Sequence, residues 1–309
     1  LAGTVLTGCR RADDLVQEQA EPENYALTVF TAQERKEWEP VIKEFEERTG
    51  WNVRVETGSA KEMLSQLEKE EADWDVAFGV SADALEEGKE YWQTGKDAWT
   101  GYSAVSFVIL YNTNVVTYRE LPTGWDSLLE PRWKGRVAVP DPLKSDMAAS
   151  VLTEAAKNSE KEEFLDLLAE NMQYQMPETF KEVEQGISDG RYSIGVTSEE
   201  AAKAMLAAGQ DVDYIDPEEG ECFFEDGTAI RKRTPNLDAS EAFVTYTTCD
   251  DTKWLLRTQL LRQPAEDVAA ENDRSDEDLK QRYSRQQEVL NIWKLIMEEK
   301  SGSAHEQEQ

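Results

Sequence analysis

The sequence holds a single histidine, His305, and three cysteines, Cys9, Cys222 and Cys249. With the one histidine in a polar tail, no H-E-x-x-H metal motif and no histidine base can be assembled, and no G-x-S-x-G elbow occurs. Three thiols are too few for a structural zinc site, and no metal-ligand set is nominated. No run of about 20 apolar residues is present, so nothing reads as a membrane-spanning helix. Positive charge is also scarce: 33 Lys and Arg stand against 64 Asp and Glu, a formal charge of -31. Such a surface repels nucleic-acid phosphates, whose binding needs Lys and Arg, and excludes nucleic acid as a partner. It also argues against lying flat on an anionic bilayer. The acid excess is read as solubility.

What is present begins with Leu6-Thr7-Gly8-Cys9. A short apolar stretch ending in small residues and a cysteine reads as residues 1–9 of a lipoprotein signal remnant and lipobox, with Cys9 bearing the lipid. The protein is then expected at the outer face of the cytoplasmic membrane, anchored through Cys9, or in the periplasm of a Gram-negative cell. Residues 10–24 are polar and acidic without an apolar period, a linker. If Cys9 is lipidated, Cys222 and Cys249 remain. A bridge between them is possible outside the cell, and two separate buried thiols are the alternative.

With 309 residues, 39% of them hydrophobic, the chain can bury two lobes. Ala26 to Phe30 reads as a buried strand. Thr31 and Glu34 have capping-box spacing, and Trp38, Val41, Ile42 and Phe45 mark one helix face that Gly50 ends. Trp51, Val53 and Val55 alternate as a strand; Met63, Leu64 and Leu67 mark a second helix; Val76 to Gly79 is a third strand. This β-α-β-α-β order implies an α/β fold with a mainly parallel sheet flanked by helices. Strands follow at Phe107–Tyr111, Val137–Val139, Tyr192–Val196 and Val212–Ile215. Cys222–Phe224 and Thr228–Ile230 read as a hairpin around Asp226-Gly227. Helices are expected over about 237–248, 251–262 and 277–299. The chain is expected to build lobe 1 over 25–106, cross to lobe 2 over 107–221, and complete lobe 1 and the C-terminal helices over 222–300. Residues 301–309 are expected to form a disordered tail. The cleft between the two lobes is the natural small-molecule site.

Several stretches carry a family resemblance: Phe45–Gly50 (F-E-E-R-T-G), Trp74–Ala84 (W-D-V-A-F-G-V-S-A-D-A), Leu110–Asn114 (L-Y-N-T-N), Gly124–Pro142, Asp189–Ser198 and Pro217–Gly220. In this order and spacing, from about residue 25 to about 298, the chain resembles bacterial extracellular solute-binding proteins of ABC importers. It is similar to the two-lobed type II periplasmic-binding-protein branch that binds ferric ion, aminoethylphosphonate or sugar phosphates. The resemblance implies two hinge crossovers, capture of a small solute and delivery to ABC permease subunits. It implies no covalent chemistry and no cofactor, and a monomer is expected. A sensory role, with the same fold reporting to a membrane histidine kinase, is the alternative; an extracellular hydrolase using two carboxylates is the third reading.

Loops after strands are the candidate ligand-binding positions: Thr31 and Ala32; Gly58, Ser59 and Ala60; Gly79 and Ser81; Ser145, Asp146 and Met147; Thr197, Ser198 and Glu199. Helix-start N–H groups bind anions, and the serines add hydroxyls, although each serine alone is an ordinary cap. Two departures from the family matter. Anion-binding relatives carry Ser-Gly-Ser or Ser-Gly-Thr where this chain has Ser145-Asp146-Met147, so Asp146 weakens the case for a plain phosphate and, with Glu199, suits an amine or a metal. Asp146 pointing to solvent at a helix start is the alternative. Iron-binding relatives carry adjacent tyrosines, and no Tyr-Tyr pair occurs here. Tyr91, Trp92, Trp99 and Tyr102 read as core or lobe packing before a wall of the cleft mouth.

Overall fold

A computed structural model describes residues 24–93, 98–220, 222–269 and 276–307. Its elements, in chain order, are β1 (Leu27–Thr31), α1 (Arg35–Thr49), β2 (Val53–Thr57), α2 (Ala60–Glu68), β3 (Val76–Ser81), α3 (Ala82–Glu87) and the long β4 (Thr100–Asn112). Then follow β5 (Val137–Ala138), α4 (Asp146–Asn158), α5 (Phe164–Asn171), α6 (Phe180–Ser188), β6 (Ile194–Ser198), α7 (Glu199–Ala207), β7 (Val212–Ile215) and β8 (Cys222–Ile230). The chain ends with α8 (Leu237–Thr247), α9 (Asp250–Leu255), β9 (Gln263–Pro264), α10 (Ala265–Ala269) and α11 (Asp276–Gln307).

The strands form one path, β2-β1-β3-β8-β4-β6-β5, with β7 and β9 also on β4. β1 is parallel to β2 and β3, and β5 is parallel to β6, as helical crossovers require. The mainly parallel sheet therefore holds at each end, while the middle is antiparallel through β4 and β8. β4 reads as one strand of 13 residues where a five-residue strand was expected. It pairs with β8 from Thr100 to Phe107 and with β6 and β7 from Phe107 to Asn112. These two long strands tie the halves together.

The expected hairpin at Asp226-Gly227 does not form; β8 runs straight through it. Asp226 is fully buried beside Arg262, and Gly227 lets Thr100 O approach to 2.7 Å of where a Cβ would stand. A turn-forming dipeptide is overridden by a partner 36 residues away. Locally, Glu34 and Glu37 cap α1 in place of Thr31, whose Oγ1 instead accepts from Gln33 N–H at 3.2 Å. Gly50, at φ 72°, ends α1 as its left-handed conformation allows.

The first half packs Val29, Ile42, Phe45, Phe78 and Phe243 in one cluster and Trp74, Trp92 and Leu85 in another. Each such side chain contributes about 1.5–3 kcal/mol when fully buried. Trp92 and Tyr102 are core residues, so the aromatic group before the crossover is packing. The second half is built on Phe107, Ile109, Trp125, Leu168 and Ile194. Val289 and Trp293 of α11 join this second core, and α11 also packs on α3 of the first half. The last helix thus straddles both halves. It is helical through Gln307, over the expected tail, because each added residue of a formed helix gains a hydrogen bond.

Cys222 and Cys249 are free thiols. Cys222 is buried in the second core and Cys249 lies against the first, so the possible bridge is absent.

Candidate functional site

Two cavities of about 440 and 480 Å³ lie between the halves. Both touch Ala32, Gln33 and Glu34 on one side and Lys144, Ser145 and Asp146 on the other. Their size is that of a small-molecule site. The first adds Lys36, Glu37, Gly79, Met147, Phe180, Lys181, Glu184, Ser198, Phe224 and Arg262. The second adds Thr31, Gly58, Ser59, Ala60, Ser81, Tyr283 and Gln286.

Of the positions nominated from sequence, eleven line these cavities; Thr197 and Glu199 do not. Thr197 is buried and donates to Glu184 Oε1 at 2.7 Å, while Glu199 pairs with Lys203 at 3.0 Å. The four serines are helix caps. Ser59, Ser81, Ser145 and Ser198 accept from the N–H groups of Glu62, Ala84, Ala148 and Ala201. Their position at the cleft follows from the β-α order, because each helix starts at the strand end that faces the opposite half.

Asp146 is half-buried at the start of α4 and faces across the cleft, not into solvent. Its Oδ2 accepts from Ala60 N–H at the start of α2, 3.1 Å away. Burial raises its pKa, the Ala60 hydrogen bond pulls the other way, and the Glu62 carboxylate raises it further. Glu184, across the first cavity, is also raised by burial against the pull of Thr197, Lys36 and Lys181.

The charged floor of the first cavity has no local sequence signal. Arg262 follows a π-turn over Leu256–Leu260 and is 4% exposed. It donates to Asp226 Oδ2 at 2.7 Å, Ser103 Oγ at 2.9 Å and Glu37 Oε1 at 3.0 Å. Ser103 N–H and Oγ donate to Asp226 Oδ1, and Gln33 Nε2 donates to Oδ2 at 2.9 Å. Burial disfavours charge on Glu37, but Arg262 outweighs it and holds the carboxyl below its ordinary range. Sequence reading missed Arg262, Glu37 and Gln33, since their meeting depends on segments up to 225 residues apart.

Among the described residues no group of three or more His, Cys, Asp or Glu side chains could hold a metal ion. No helix among them is long and apolar enough to cross a membrane. The cleft offers paired charges of both signs, capped helix starts and an apolar wall at Phe180 and Phe224, a setting for non-covalent capture.

The family model of bacterial extracellular solute-binding proteins matches residues 76–287. The chain belongs to that family. Its members are binding proteins, not enzymes. It is 21% identical over 302 residues to iron uptake protein A1 of a Synechocystis strain, covering 87% of this chain and 80% of the relative. The ferric binding protein from Campylobacter jejuni superposes with a TM-score of 0.70 at 17% identity, covering 87% of this chain and 99% of that one. The periplasmic binding protein AfuA from Actinobacillus pleuropneumoniae, with fructose-6-phosphate bound, gives a TM-score of 0.71 at 14% identity, covering 88% and 98%. At these identities the solved structures establish the fold, a type II periplasmic-binding-protein architecture. The two cavities between the halves are the candidate site of this solute-binding protein.

Proposed function

We propose that this solute-binding protein captures a small polar solute in the interlobe cleft and delivers it to the permease subunits of an ABC importer, tethered outside the cytoplasmic membrane by lipid on Cys9. The lobes are 25–106 with part of 222–300, and 107–221, with α11 strapped across both. The observation that carries the reading is the pair of cavities whose walls come from both halves. A solute touching Gln33 and Glu37 on one side and Lys144 and Lys181 on the other gains contacts only when the lobes close on it, and this differential affinity is what drives a hinge. The relatives concern iron and fructose-6-phosphate; the mixed charge of this cleft supports a polar, hydrogen-bonding solute.

The test is a thermal-shift panel of sugar phosphates, phosphonates, polyamines, amino acids, oligosaccharides and metal ions. A ligand at about 100 times its dissociation constant stabilises by about 2.7 kcal/mol, enough to raise Tm by several degrees. The shift is expected to shrink in Lys144→Ala, because Lys144 lines both cavities. An equal shift in the variant would place the solute elsewhere.

A further inference from the structure

We propose that Asp146 is a built-in anion: its carboxylate sits on the N-terminus of α2, latches the lobes and excludes oxyanions from that helix start. The residues are 86 apart in sequence and come from opposite halves, yet Ala60 N–H donates to Asp146 Oδ2 at 3.1 Å. The N–H groups of Ser59, Glu62 and Met63 around it are committed within α2. Ser59 N–H donates to Glu62 Oε2 at 2.8 Å, Glu62 N–H donates to Ser59 Oγ at 3.2 Å, and Met63 N–H donates to Ser59 O at 3.0 Å. Ala60 N–H is thus a donor aimed at the other lobe, and Asp146 fills it as a bound anion would.

The latch has a second strap. Gln286 Nε2 of α11 reaches Asp146 O at 3.5 Å, so the start of α4 is held from the helix that spans both halves as well as from α2. The charge balance decides selectivity. An incoming phosphate must evict Asp146 and then sit beside the Glu62 carboxylate, which already caps α2. Like charges at this range repel. The exclusion half of the proposal rests on the cleft being the solute site; the latch half does not.

Small-angle X-ray scattering of the full ligand-free chain tests the latch, and calorimetric titration with inorganic phosphate tests the exclusion. The wild type is expected to scatter as closed lobes and to bind phosphate weakly. Asp146→Gly is expected to show a larger radius of gyration and phosphate affinity at least about tenfold higher. Saturating phosphate should return the variant to the closed radius. Wild-type scattering from open lobes, or an unchanged radius in the variant, overturns the latch. Unchanged phosphate affinity overturns the exclusion. Asp146→Asn keeps an acceptor for Ala60 N–H without the charge; it should stay closed and gain part of the phosphate affinity. If Asp146→Gly is not folded by circular dichroism, two variants replace it: phosphate affinity of Asp146→Asn equal to wild type overturns the exclusion, and an unchanged radius in Asp146→Ala, which has no side-chain acceptor for Ala60 N–H, overturns the latch. A wild-type chain that binds no solute at all leaves both readouts in place, so failure of the transport reading is distinguishable.

Discussion

Arg262 is where single side chains matter most. It neutralises Asp226, which is fully buried, and is shared with Glu37. Removing one partner of such a pair strands the other charge. Arg262→Met is expected to destabilise by about 3–5 kcal/mol in chemical denaturation. Adding Asp226→Asn should recover part of that loss; a double variant less stable than the single one would refute the pairing. The cluster also has a pH signature. Glu37 is held below its ordinary range in the folded chain, so the unfolded chain binds that proton first. Its contribution is present above the unfolded value and lost as pH falls through the folded one. Glu37→Gln should flatten the acid limb of a stability–pH curve over that window.

Elements decide which cysteine reacts. Cys222 opens β8 at the point where it pairs with Phe107, inside the second core, and burial pushes its thiol well above the ordinary range. Cys249 caps the start of α9 and is only half-buried. Thiolate fraction and access govern alkylation. Brief iodoacetamide treatment of the native chain, followed by peptide mass mapping, should label Cys249 and leave Cys222 unmodified until denaturant is added. Early labelling of Cys222 would mean that β8 opens at the crossover. Gly79 makes a related point. It sits at φ 61° in a bulge of β3, and a Cβ there would fall 2.4 Å from the Gln33 side chain. Gly79→Ala should therefore cost about 1–3 kcal/mol, read as a lowered denaturation midpoint.

At the scale of the molecule, two long antiparallel strands and one straddling helix join the halves. Arg282 of α11 lies 3.6 Å from Asp83 of α3 and 3.4 Å from Glu154 of α4, and donates to Phe223 O of β8 at 3.2 Å. One guanidinium thus touches both halves and the strand between them. The proposed tether acts on the whole molecule too. Cys9 lies outside the described residues, and Cys9→Ser is expected to move the protein from the membrane pellet to the soluble fraction. Retention in the pellet would remove the lipid anchor from the reading.

The alternation of apolar runs, from Val29 to Phe45 and from Val76 to Phe78, determined by itself that the chain is α/β with helix starts at strand ends. Within each half that order brought Ser59 and Ser81, and Ser145 and Ser198, to one edge, because parallel strands joined by helices present the same edge, while the antiparallel β4 and β8 set the two edges against each other. Local signals failed where distant residues overrode them. Asp226-Gly227 carries the chemistry of a turn, but Arg262 and the close approach of Thr100 keep it within a strand. Cys222 and Cys249 were equivalent in the sequence and were parted by packing into different cores. For Asp146 the sequence left two directions open, solvent or cleft. Only the meeting of α4 with α2 across the lobes chose between them, since an unpaired helix N–H is satisfied by whichever acceptor the tertiary fold brings within reach.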